Sequence, residues 1–84
     1  APGQAADPTF EDLLANLKSP HTETRLKAAK ALGESRRREA VLPLSALVRD
    51  PEVTVRVAVV RSLRQLRDLD VVHRVGSFIR VIGS

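Results

Sequence analysis

The chain has 84 residues, 43% hydrophobic and 29% charged, the composition of a globular protein near the lower size limit at which packing alone outweighs chain entropy. It contains no Cys, which excludes disulfides, thiolate metal sites and thiol nucleophiles, and no run approaches the roughly 18 to 20 apolar residues that a bilayer span needs. The net charge of +4, carried mostly by arginine, favours acidic partners in general, nucleic acid among them.

Residues 1–7 have neither the basic patch nor the apolar stretch of a signal peptide and are expected to form a disordered tail. Without an initiator Met, the sequence is expected to be a piece of a longer chain. A first helix is predicted over 8–18, where Phe10, Leu13, Leu14 and Leu17 share one face and Glu11 and Asp12 place negative charge in the first turn, as the helix dipole favours. Ser19 followed by Pro20 marks the next start, a capping side chain before a proline at the first helical position. That second helix is predicted over 20–33, ended by Gly33. A loop holding Arg36, Arg37 and Arg38, able to meet phosphate or acidic side chains, precedes a third helix predicted over 38–49. Asp50 and Pro51 open a fourth over 51–66, with Val55, Val59, Leu63 and Leu66 on one face, and a fifth is predicted over 69–82. Val53, Val55, Val57 and Val59 alternate as in a strand, but the matching segment at 26–32 is rich in Ala, Lys and Leu and favours helix.

These elements repeat. A shift of 31 residues carries Pro20 onto Pro51, Arg25 onto Arg56, Lys30 onto Arg61 and Leu32 onto Leu63, and likewise Phe10 onto Val41, Leu13 onto Leu44, Ala15 onto Ala46 and Leu17 onto Val48. A second shift reaches Val72, Val75, Ser77 and Ile79. A fixed period in this range signals stacked supersecondary units. The expected fold is all-α, an α-solenoid of antiparallel helix pairs in one domain over 8–82, with units at about 8–36 and 37–67 and a half unit at 68–82.

Residues 39–64 resemble the short HEAT repeat of the phycobilin-lyase type. The likeness rests on Glu39, Ala40, Val41, Leu42, Pro43 and Leu44 opening a first helix, Asp50 and Pro51 at the turn, and Val55, Arg56, Val59, Val60 and Leu63 along the second. The first unit repeats the second-helix part as Thr24, Arg25, Ala28, Ala29, Ala31, Leu32 and Gly33. The resemblance implies a structural ladder of hydrogen bonds between units, carried by Arg25, Asp50 and Arg56. Two positions depart from the pattern: Ser19 stands where the ladder has aspartate, and Arg64 stands where Gly33 closes the earlier helix, so the later helix is expected to run on to Arg67.

Catalytic chemistry finds little to work with. The two histidines, His21 and His73, have no carboxylate cluster beside them at metal-ligand spacing, and the glycines stand singly, without a phosphate loop. Against the catalytic relatives of such repeats, the sequence lacks the paired His-Glu steps of the iron hydroxylases and has no Trp or Tyr to meet a damaged base. A tetrapyrrole pocket of the lyase kind would need more repeats. No enzyme activity, cofactor or metal is expected.

Binding is the remaining function. Stacked helix pairs present their second helices on an extended concave surface. There the non-core positions are Glu23, Lys27 and Lys30 in the first unit and Thr54, Ala58, Arg61 and Gln65 in the second, with Lys27, Lys30 and Arg61 forming a basic strip edged by Arg64. Leu26 and Val57 add an apolar pair. The expected partner is a protein with an acidic surface, with self-association through Val71, Val75, Phe78 and Ile82 of the last helix as a further expectation. The alternative is binding of a nucleic-acid phosphate backbone, although Phe10 and Phe78, the only aromatics, sit at core-type positions and not where bases could stack. A cytoplasmic location without membrane contact is expected.

Overall fold

The computed structural model describes residues 8–83, with side chains described through residue 69. The expected tail at 1–7 lies outside the described residues. Four α-helices follow in order: α1 (Phe10–Asn16), α2 (Thr22–Glu34), α3 (Val41–Ser45) and α4 (Val53–Gly83), with a 3₁₀ turn at Arg38–Ala40 before α3. No strand occurs among the described residues. The alternating valines resolve into two faces of α4: Val55 and Val59 are fully buried, whereas Val53 and Val57 are exposed.

Capping chemistry sets the start of α1. Thr9 Oγ1 accepts from the Asp12 N–H at 3.1 Å and Asp12 Oδ2 accepts from the Thr9 N–H at 3.1 Å, so two otherwise unpaired donors are satisfied reciprocally. Thr9→Ala is expected to lower stability by about 1 kcal/mol in a urea melt, the usual loss for a cap; an unchanged midpoint would show that α1 frays without consequence for the rest.

The two turns that lead into α2 and α4 are built alike. Ser19 Oγ accepts from the His21 N–H (3.1 Å) and Asp50 Oδ1 accepts from the Glu52 N–H (2.9 Å), each side chain bonding two residues ahead across a proline. The helices therefore begin at Thr22 and Val53, two residues beyond the predicted prolines. The third predicted helix is not regular over 38–49. It is a 3₁₀ turn, then the short α3, in which Pro43 sits in the first turn where its missing N–H has no helical partner to lose. Its end tightens through Leu47 N–H to Leu44 O (2.9 Å) and Asp50 N–H to Leu47 O (3.0 Å).

The predicted fourth and fifth helices are one continuous helix. Residues 64–70 contain no Gly or Pro and are mostly good helix formers, so nothing stops α4 there. After α2 the stop is local: Ser35 Oγ donates to Leu32 O at 2.6 Å and Arg36 turns left-handed at φ 60°. Gly33 does not end that helix. It lies inside α2, without positive φ, and its service is to packing.

The core lies mainly between α2 and α4, with α1 and α3 closing one side. Leu17, Ala28, Ala29, Leu32, Ala40, Leu44, Val55, Ala58, Val59 and Leu66 are buried in it, and Phe10, Leu13, Leu14, Leu26, Val41, Leu47 and Leu63 pack at its margin. α4 approaches α2 closely at one point. Ser62 Oγ donates to Ala29 O at 2.7 Å, and a Cβ placed on Gly33 would stand 2.6 Å from Ser62 Cβ and 2.8 Å from its Cα. Only glycine permits that approach.

Candidate functional site

Arg25 on α2 joins the two units. Its Nη1 donates to Ser19 O at 2.9 Å, which ties the side chain to its own turn, and its Nε and Nη2 grip Asp50 of the second unit at 2.8 and 3.2 Å. Both side chains are nearly enclosed, with 10% and 2% of their surfaces exposed. Burial would by itself raise the Asp50 carboxyl, but hydrogen bonds from Arg25 and the Glu52 N–H, with the charges of Arg25 and Arg56, hold it below its ordinary value of 3.8. Arg56 repeats the anchor, its Nη1 donating to Asp50 O at 2.6 Å. The residues of the implied ladder thus lie where two turns meet, and they tie α2 to the turn that leads into α4.

A groove of about 450 Å³ lies between α2 and α4. Leu26, Val57 and Ala58 form its apolar part, Lys30 and Arg61 its basic edge, and Glu34 a single opposing charge. Four of the six candidate binding residues meet here: Leu26, Lys30, Val57 and Arg61. Leu26 is half-buried against the core, while Val57 is 44% exposed. Lys27 is exposed on α2, one turn before Lys30, and does not line the groove. Arg64 lies across the ridge of α4, in a second depression with Arg56, Val57, Val60 and Arg61. Ala58, expected on the open surface, is buried at 5% exposure because α4 leans closely on α2.

The arginine run between the units is partly engaged. The Arg37 guanidinium lies 3.8 Å from the centre of the Phe10 ring and its Nη2 pairs with Glu39 at 3.1 Å, which pins the loop to α1. Arg36 is exposed, its backbone serving the turn. His21 precedes α2 without a side-chain capping bond, Asp12 is used by the Thr9 cap, and the side chain of His73 lies outside the described residues. Among the described residues there is no group of three or more His, Cys, Asp or Glu able to hold a metal, and no helix is long and apolar enough to cross a membrane. Ser62, Gly33, Glu34 and Val60 were not marked as site residues by sequence. For Gly33 and Val60 the sequence holds one signal, the 31-residue shift, which sets Ala29 and Gly33 against the larger Val60 and Arg64; for Ser62 and Glu34 it holds none.

Stacked helix pairs, joined turn to turn by a buried arginine–aspartate rung, define a small α-solenoid of helical repeats. The family model of HEAT repeats matches residues 10–76, and the chain belongs to that family. The match is to HEAT repeats as a class, which commonly serve as interaction modules and are generally not catalytic. No curated protein and no solved structure matches the chain.

Proposed function

We propose that the chain is a non-catalytic protein-interaction or scaffolding module whose groove between α2 and α4 receives a partner with an acidic, partly apolar surface. The groove itself carries this reading: an apolar floor from Leu26 and Val57 beside Lys30 and Arg61, held open by the Arg25–Asp50 rung. Neither cation of that edge has a hydrogen-bonded or ion-paired partner among the described residues, so both are free to meet a ligand's carboxylates. A cytoplasmic location goes with this reading, and the cysteine-free composition is compatible with it. Self-association through Val71, Val75, Phe78 and Ile82 concerns side chains outside the described residues and does not enter it.

The test is an NMR titration of the labelled chain with a glutamate- and leucine-containing peptide, and in parallel with a thymidine oligonucleotide. Shifts of Leu26, Lys30, Val57 and Arg61 on peptide addition are expected, with about tenfold weaker binding for Lys30→Glu. Preferential binding of the oligonucleotide, with affinity falling steeply as salt rises, would replace this reading by phosphate-backbone recognition.

A further inference from the structure

The face of the second unit that points away from the first is uncovered, and a 31-residue shift shows how. Leu17 is 3% exposed but its counterpart Val48 is 42% exposed; Ala29 is fully buried but Val60 is 47% exposed. Leu32 is fully buried while Leu63 is half-buried, and Gly33 is buried while Arg64 is exposed. In the first unit Ala29 and Gly33 lie against Ser62 of α4. In the second unit nothing among the described residues takes that place.

Arg56 is set as Arg25 is set. Each donates Nη1 to the carbonyl six residues before it, at 2.6 and 2.9 Å, which fixes the direction of the guanidinium. Arg25 then uses Nε and Nη2 to hold a carboxylate; no described residue accepts from those atoms of Arg56. The sequence repeats no carboxylate at the next 31-residue step, where Asp50 is followed by Val81. A second copy stacked head to tail would bring Ser19 there, a neutral hydroxyl. Nor would a repeat like the second unit fit in the same register, since Arg64 replaces the glycine that lets Ser62 approach.

We infer that this face, with Val57 and Val60 flanked by Arg56, Arg61 and Arg64, docks a helical segment of a protein partner that places an aspartate or glutamate on Arg56 and apolar side chains on the valines. The five residues follow one side of α4 at helical spacing and enclose a shallow depression of about 320 Å³. Bidentate arginine pairing suits a planar carboxylate, and the Asp50 pair supplies the geometry within this same molecule. The apolar centre and the lack of aromatic side chains in the depression favour a peptide over stacked bases. Only Val57 and Arg61 also line the groove between α2 and α4, so the two surfaces are separable by mutation.

The experiment uses the full chain and a fluorescein-labelled peptide of repeated Asp-Leu-Ala-Asp, read by anisotropy, with circular dichroism to establish that each variant folds. Arg64→Glu and Val60→Asp, both exposed, are expected to weaken binding about tenfold, while Lys27→Glu and Lys30→Glu change it less than about twofold. Arg56→Lys, which keeps the charge but loses the fork, is expected to weaken binding as well. An Asn peptide that binds as tightly as the Asp peptide overturns the inference. So does equal weakening by Arg64→Glu and Lys27→Glu, the mark of unspecific charge attraction, or absence of binding. Weakening by Lys30→Glu alone would move the site to the groove and overturn only this face; loss in Arg64→Glu with unchanged binding by Lys30→Glu supports this face and leaves the groove to its own peptide titration. Tighter binding of a thymidine oligonucleotide through the same residues would assign the face to phosphate. A molecular mass that doubles with concentration, and no longer does so in Val60→Asp, would assign it to a second copy.

Discussion

Asp50→Ala is expected to cost about 3–5 kcal/mol, because it leaves the buried Arg25 guanidinium without its counter-charge. A domain of this size has a total stability near the low end of about 5–15 kcal/mol, so the variant should keep at most about 2 kcal/mol and melt at a much lower temperature. The loss has a second component. Asp50 Oδ1 also accepts the Glu52 N–H, and that donor opens the turn into α4. Asp50→Asn keeps a side-chain acceptor for the turn while removing the charge, and should fall between wild type and Asp50→Ala. Replacing both partners, Arg25→Met with Asp50→Leu, should recover part of the loss, since apolar residues often substitute for a buried pair more cheaply than a lone charge does. Thermal and urea melts followed by circular dichroism decide the matter: a wild-type midpoint in Asp50→Ala would mean that water screens the pair.

The same carboxylate gives the protein an acid limb. Its folded value lies below its ordinary one, so its contribution is complete above the unfolded value of about 4 and is lost as pH falls through the folded value. Stability should therefore decline below about pH 4 in the wild type, and Asp50→Asn should show a flatter decline over that window.

Gly33→Val is the second large effect. Helix propensity alone would favour the change, since glycine inside a helix is worse than other residues by up to about 1 kcal/mol. Packing reverses the sign. The new Cβ would overlap Ser62, including its backbone Cα at 2.8 Å, which cannot swing aside as a side chain can. A cost of about 3 kcal/mol is expected, with α4 displaced from α2 and the Ser62 bond to Ala29 O broken. Gly33→Ala should show the same sign at smaller size. Ser62→Gly should rescue either only in part, because removing the serine side chain leaves the α4 backbone where it was. A Gly33→Ala variant more stable than wild type would show that α4 can retreat without loss.

The period of 31 residues, the helical class and the inward faces of α1 and α4 could be read from the sequence, because each rests on local spacing: Val55 and Val59 are four apart, and so are Leu13 and Leu17. The arginine–aspartate rung was legible through family resemblance, and the structure supplies its geometry. Local reading failed wherever the outcome depended on the distance between helices. Gly33 looked like a helix stop and is a point of close packing; Ala58 looked exposed and is buried. It also failed over 64–70, where the expectation of a third unit imposed a break on a run of residues that favours none.

By itself, then, the sequence determined that this chain folds as stacked helix pairs and which positions recur between them, since side-chain spacing and turn residues act within a few residues of one another. Only the tertiary structure decided how closely α2 and α4 approach, and with it the shape of the groove and the uncovered face around Arg56. Those depend on whether a side chain such as Ser62 finds a glycine or an arginine opposite it, a fact about two helices that neither carries alone.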